Sequence, residues 1–269
     1  MRTPIDLSQL KQIQIEILDV VHAFCKKHEI RYWLDSGTLI GAVRHKGYIP
    51  WDDDIDLGML RDDYNRFCEL FNRENDRYRF HCQENDRGWC FACGKILDTS
   101  TVLCEPDEDG VRTCVNIDLF VYDNAPDDDV LVDKMYKRRD QLMWLHDVRL
   151  YSSVKRQKNL MKKIFLYLVN LLPQGWVERK ISENSRRFAE VPTRRVGNFT
   201  AVVRIAASKD IFDSFVEIEF EGKRYLAPVG YHEWLTSLYG NYMQLPPEEK
   251  RVSHHLFVAW KEDCCCRIL

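Results

Sequence analysis

An acidic run that alternates with apolar residues constrains this chain more than any other feature. Residues 52–60 read DDDIDLGML, placing Asp52, Asp53, Asp54 and Asp56 within five positions. Side chains of an extended strand alternate faces. Asp54 and Asp56 therefore share one face, while Ile55 and Leu57 turn to the other, toward a core. Asp is depleted in strands, and two carboxylates on one face repel unless positive charge lies between them. A hard divalent cation that prefers oxygen ligands meets that need. Acid runs are ordinarily solvated turns, and Asp52 and Asp53, directly after Pro50-Trp51, read that way. Asp54 and Asp56, interleaved with apolar residues, do not.

The segment before the run adds a second element. Residues 31–34 (RYWL) read as a short strand, 35–38 as a turn and 38–45 as a short helix, followed by the basic Arg44-His45-Lys46. A strand, a glycine turn and a helix N-terminus make an anion site. Backbone amides near Gly37 and Thr38 are its expected donors, because glycine permits close approach. A Gly-Thr pair alone describes many tight turns; its weight here comes from lying just before the acidic strand.

Residues 115–121 (VNIDLFV) form a third element, a strand with Val115, Ile117, Leu119 and Val121 on one face and Asn116, Asp118 and Phe120 on the other. If this strand neighbours the acidic one, Asp118 becomes a third carboxylate around the same ion. If it does not, Asp118 reads equally well as hydrogen-bonded to a nearby loop. Lys95 sits in a strand-like context, as a surface lysine or as a phosphate contact from the sheet.

The remainder supplies packing. Helical spacing covers residues 6–29 through Leu10, Ile13, Ile17, Val20, Val21 and Phe24, and returns at 61–72, 130–150, 153–172, 176–188 and 228–239. Leu131, Met135, Leu142 and Leu145 are the buried candidates of the 130–150 helix. Short strands fit 78–82, 93–97 and 101–104, a turn fits 105–110, and 215–226 reads as a hairpin around Glu221-Gly222. The helix at 153–172 is basic first (Lys155, Arg156, Lys158, Lys162, Lys163) and apolar later. It suits either an anionic membrane surface or packing on its neighbours. His254-His255 come late and without an acid at metal-ligand spacing, which favours a substrate-facing or structural place.

The 269 residues and 45% hydrophobic content support one or two domains with a sizeable core. A net charge of −3 argues against a dedicated nucleic-acid binder. No signal-peptide h-region and no membrane-length apolar run is visible, so a cytoplasmic location is expected, with peripheral membrane contact through 153–172 open. The ten cysteines then read as reduced thiols. Cys90-x2-Cys93, with Cys82 and Cys104, lacks regular zinc spacing and reads as core. Cys264-Cys265-Cys266 carry no assignable function.

Residues 37–57 (GTLIGAVRHKGYIPWDDDIDL) resemble the signature of the LicD family, which includes phosphocholine transferases and fukutin-type sugar-phosphate transferases. The resemblance continues at Asp63-Tyr64, Lys95, Asp98-Thr99, 116–123 (NIDLFVYD), 220–228, 238–247 and His254-His255, and so covers most of the chain. It implies an α+β nucleotidyltransferase-like fold: a mixed sheet flanked by helices, with a catalytic core at 1–127, a helical insertion at 128–190 and a C-terminal hairpin and helix at 191–269. It also implies a metal-dependent transfer of phosphocholine, or a similar phospho-substituent, from a CDP-activated donor to a hydroxyl of a glycan or glycolipid such as lipopolysaccharide or teichoic acid. Asp54, Asp56 and Asp118 would hold Mg2+ or Mn2+. Gly37, Thr38, Arg44 and Lys95 would contact phosphate, and His254 and His255 the substrate. Asp118 or a neighbouring carboxylate would accept the attacking hydroxyl's proton. Trp51, Trp89 and Tyr242 are the aromatic candidates for a choline headgroup. A transferase for another alditol or sugar phosphate, a protein nucleotidyltransferase and a non-catalytic binding protein are the alternatives.

Overall fold

The computed structural model describes residues 2–105, 111–152, 157–252 and 256–262. In chain order its elements are β1 (Thr3–Pro4), α1 (Leu7–Lys27), β2 (Trp33–Leu34), α2 (Ser36–His45), β3 (Asp56–Leu60), α3 (Arg61–Glu74), β4 (Tyr78–His81), β5 (Gly94–Asp98), β6 (Thr101–Glu105), β7 (Val111–Thr113), β8 (Asn116–Ala125), α4 (Asp129–Tyr151), α5 (Leu160–Asn170), α6 (Trp176–Ser185), β9 (Arg195–Gly197), β10 (Ala206–Ser208), β11 (Phe215–Phe220), β12 (Lys223–Pro228), α7 (Tyr231–Tyr239) and β13 (Val258–Lys261). The architecture is α+β.

The apolar alternation of the two acid-bearing strands fixes their pairing. β3 and β8 run parallel, with Asp56 opposite Asp118 and Leu57 opposite Leu119. A one-residue slip would turn Leu57, Leu119 and Ile117, all buried, off the core face. β8 is long enough to take two neighbours on its other edge. Its first half pairs antiparallel with β5 and its last residues with β9, which continues to β10. β2 closes the opposite edge against β3. A second sheet orders β1-β13-β6-β7, and β11 and β12 form the expected hairpin.

Gly58 is required where β2 crosses β3. A Cβ there would lie 2.3 Å from the buried Trp33 ring. Helix α1 starts in a capping box of Asp6 and Gln9, ends in Lys26 and Lys27, and buries Leu10, Ile13, Ile17, Val21 and Phe24. Phe67 and Phe71 of α3 stack on each other and both meet Phe24 of α1 edge-on, and Phe67 meets Phe80 of β4 the same way.

The helical segment is tied to the sheet by buried charge. Arg61, opening α3, grips Asp123 of β8 with two bonds of 2.7 Å and reaches Glu84 at 3.0 Å. From α6, the Ser185 hydroxyl donates to Asp123 and that of Ser182 to Glu84. Two expectations are corrected here. Of the four candidates Met135 is buried, Leu131 is exposed and Leu142 and Leu145 are half-buried, while α4 also buries Val132, Tyr136, Arg139 and His146, a face partly polar and so invisible to apolar periodicity. The basic-then-apolar helix spans Leu160–Asn170 as α5; residues 153–156, including Lys155 and Arg156, lie outside the described residues.

Candidate active site

The acidic strand begins later than its pattern implied. β3 starts at Asp56, and the ladder is extended backward by the Asp118 N–H donating to Ile55 O at 2.8 Å. Asp54 lies on the approach to the strand. Asp53 corrects another expectation: it is buried, and with Asp54, Asp56 and Asp118 it lines a cavity of about 370 Å³. The same cavity is walled by Lys95 and Cys93 of the β5 region, Gln14 of α1, Met143, His146 and Tyr151 of α4, and the 200–202 loop.

The electrostatics of this wall are set by burial and by crowded carboxylates. Asp56 is raised well above the usual carboxylate range, first by burial and then by the fields of Asp54, Asp118, Asp35 and Asp52. Asp118 is met by Lys95, whose Nζ lies 2.5 Å from Oδ1 and 3.2 Å from Asn116 Oδ1. Burial alone would lower the Lys95 ammonium, yet Asp118 and Cys93 more than offset this and raise it. The Cys93 thiol stands 3.5 Å from Asp118 Oδ2 and is pushed up by burial and by that carboxylate. Behind the wall, the fully buried Asp35 accepts from Tyr122 Oη at 2.5 Å and from Trp234 Nε1 at 3.0 Å.

Among the described residues no three His, Cys, Asp or Glu side chains converge to hold a metal ion. Asp56 and Asp118 nevertheless face each other in register on adjacent parallel strands, with Asp56 destabilised as an anion by burial and by its acidic neighbours. Lys95 supplies the positive charge on the Asp118 side of the group.

The glycine turn is placed differently from the sequence expectation. α2 begins at Ser36, so Gly37 and Thr38 belong to its first turn. A Cβ on Gly37 would lie 2.7 Å from Asp52 Oδ2, so the space against this helix start holds the chain's own carboxylate. Thr38 is buried, and its hydroxyl accepts from the Asp56 N–H at 2.9 Å. Arg44 donates to Tyr242 O at 2.8 Å and to His45 Nε2 at 2.8 Å. None of Gly37, Thr38 and Arg44 lines the cavity. Neither do Trp51, Trp89 and Tyr242; the cavity's aromatic rings are Phe91, Phe120, Tyr151 and Phe257. His254 and His255 lie outside the described residues, and Phe257 just beyond them reaches the cavity.

Sequence reasoning also missed how the 200–202 wall is held. Arg139, fully buried on α4, donates to the carbonyls of Ala201, Val202 at 3.1 Å and Val203 at 3.2 Å. Asn198 Oδ1 accepts from the Thr200 and Ala201 amides at 2.9 and 3.0 Å. An arginine within a helix of mixed polarity gives no sequence signal for such a role.

A parallel β3–β8 pair carrying acids in register, a third acid just upstream and a helix start packed behind them define a nucleotidyltransferase-type transferase fold. The family model "LicD/FKTN/FKRP, nucleotidyltransferase domain" matches residues 29–148. The lipopolysaccharide cholinephosphotransferase LicD of Haemophilus influenzae is 31% identical over 265 residues, spanning 94% of this chain and 97% of that one. Ribitol 5-phosphate transferase FKRP of Homo sapiens is 52% identical over 40 residues, 15% of this chain and 8% of its own. Ribitol-5-phosphate transferase FKTN of Mus musculus is 39% identical over 49 residues, 18% and 11% respectively. The chain belongs to the LicD family and is a transferase of that type.

Proposed function

We propose that this transferase moves phosphocholine, or a closely similar phospho-substituent, from a CDP-activated donor to a hydroxyl of a cell-surface glycan of the lipopolysaccharide or teichoic acid type. The observation that carries the reading is the in-register facing of Asp56 and Asp118 at one cavity wall. The near full-length similarity to a cholinephosphotransferase supports it.

Phosphoryl-type transfer asks a protein for positioning and charge neutralisation rather than covalent chemistry. Asp54, Asp56 and Asp118 would hold Mg2+ or Mn2+, which when bound neutralises phosphate oxygens and the departing CMP. Lys95 presents a second cation beside them. Thr38 acts from behind, fixing the Asp56 backbone rather than touching phosphate. Phe91, Tyr151 and Glu105 line the same cavity, with the Lys95 ammonium 5.2 Å from the Phe91 ring centroid, and Tyr151 beside Glu105 is the aromatic candidate for a quaternary ammonium.

No helix among the described residues is long and apolar enough to cross a membrane. α5 exposes Leu160, Met161, Ile164, Tyr167 and Leu168, and Lys162 and Lys163 lie on the same helix. Such a helix suits an anionic bilayer surface and gives a cytoplasmic enzyme peripheral access to a glycolipid acceptor.

The test is CMP release from CDP-choline by wild type, D54N and D56N, with and without excess EDTA. Loss of release in both folded variants and in EDTA is expected; full activity in them refutes the metal-site assignment. The local identity to FKRP favours one second reading, ribitol phosphate as the transferred group. Turnover of CDP-ribitol in place of CDP-choline would select it.

A further inference from the structure

The cavity contains a group that the carboxylate wall does not use. His146 of α4 lines it, and its Nδ1 lies 2.8 Å from Glu178 Oε1 of α6. Both side chains are buried, at 6% and 5% exposure. The second oxygen, Glu178 Oε2, is buried without a hydrogen-bond partner. A carboxylate so placed is costly to bury, and its one partner is the imidazole. In the tautomer that donates from Nδ1 to this carboxylate, the lone pair lies on Nε2. No hydrogen bond to Nε2 occurs among the described residues. This is the oriented-imidazole arrangement that serves proton abstraction wherever a hydroxyl is the nucleophile.

The alternative acceptor is less suited by geometry. Asp118 already engages Lys95 through one oxygen and faces the Cys93 thiol with the other. We propose that His146 is the catalytic base that takes the proton of the acceptor hydroxyl, and that Glu178 is the positioning residue that fixes its tautomer and direction. The inference rests on the transferase reading above. In the step, the acceptor hydroxyl oxygen bonds to the donor phosphorus while its proton passes to His146 Nε2. The phosphorus–oxygen bond to CMP breaks, and CMP leaves with the electron pair.

The experiment compares wild type, H146N, H146G, E178Q and D56N in the presence of Mg2+. Circular dichroism checks folding, calorimetry measures CDP-choline binding, and transfer is assayed with and without added imidazole. A general base contributes about 10²–10⁴-fold, so kcat of H146N should fall by about that factor while CDP-choline binding is retained. E178Q should fall less. Imidazole should restore part of the H146G rate and none of the D56N rate, a response that a purely structural histidine would not give. Near wild-type kcat in H146N, or loss of rate in H146G with no response to imidazole in a folded protein, overturns the assignment. Active D56N removes the metal-site assignment instead, and wild type inert toward every CDP donor removes the donor reading and the dyad's role with it.

Discussion

Replacing Arg61 by methionine should be among the most damaging single changes outside the cavity. The guanidinium is 12% exposed and the Asp123 carboxylate not at all, and the two are joined by a pair of 2.7 Å bonds. Methionine retains much of the side chain's length and removes every donor. Asp123 is left in the interior with only the Ser185 hydroxyl, and Glu84 with only that of Ser182. Breaking a buried pair by deleting one partner costs about 3–5 kcal/mol, because the remaining charge stays desolvated. Against a usual stability of about 5–15 kcal/mol, that is a large share. At about 2–4 °C per kcal/mol for a chain approaching this size, the melting temperature should fall by about 6–20 °C. Urea denaturation followed by tryptophan fluorescence measures the loss. The control is R61M/D123L, which removes the stranded Asp123 charge; stability should recover part of the deficit, Glu84 still lacking its Arg61 partner. A loss below about 1 kcal/mol in R61M, or a double variant less stable than the single one, would refute the claim that this pair is desolvated and binds α3, β8 and α6 together.

Gly58→Ala should destabilise by about 1–3 kcal/mol, because the new methyl meets the buried Trp33 ring, and it should also depress turnover by shifting Asp56 two residues away; unchanged urea unfolding would show that the ring has room. Burial pushes the Asp98 carboxyl up, but the Arg77 fork and the Ser100 contacts outweigh it and hold Asp98 low. Its contribution is therefore present above the unfolded value of about 3.9 and is lost as pH falls through the lower folded value; D98N should lose stability at neutral pH and show a flatter acid limb, and parallel acid limbs would contradict this. Wild type should float with vesicles containing anionic lipid and I164E/L168E should not, an outcome that equal flotation would overturn.

How far the sequence discloses the molecule depends on whether a feature is periodic. The β3–β8 pair was legible because Ile55 and Leu57, and Ile117 and Leu119, alternate with acids, and burial on one face fixes both identity and register. Helices α1 and α3 were legible for the same reason at helical spacing. Asp53 was misread because a buried carboxylate and a solvated one look alike within an acid run; its backbone is held by Gln14, whose Nε2 donates to Asp53 O at 3.0 Å from a helix 39 positions away, a contact no local pattern announces. Thr38 was read as a phosphate contact, but its hydroxyl faces the strand, because α2 starts two residues earlier than its glycine implied. The α4 face failed on polarity: Arg139 and His146 are buried only because the 201–203 carbonyls and Glu178 satisfy them, and those partners lie 32 to 64 residues away.

On the proposed mechanism the cavity's duties divide between two parts of the chain. The sheet contributes acids and Lys95, whose positions are locked by backbone pairing in register. The helices contribute Tyr151, the Arg139-held 200–202 loop and the His146–Glu178 pair. Chemistry that demands positioning to fractions of an ångström is best carried by the stiffest elements, and charge neutralisation at phosphorus is of that kind. Recognition of a variable headgroup or acceptor tolerates more change, and helices tethered through a few buried contacts such as Ser185–Asp123 and Ser182–Glu84 can be resculpted with the ladder kept. On this reasoning, family members that transfer different phospho-substituents should agree at the positions of Asp54, Asp56, Asp118 and Lys95 and differ at those of Phe91, Tyr151 and the 200–202 loop.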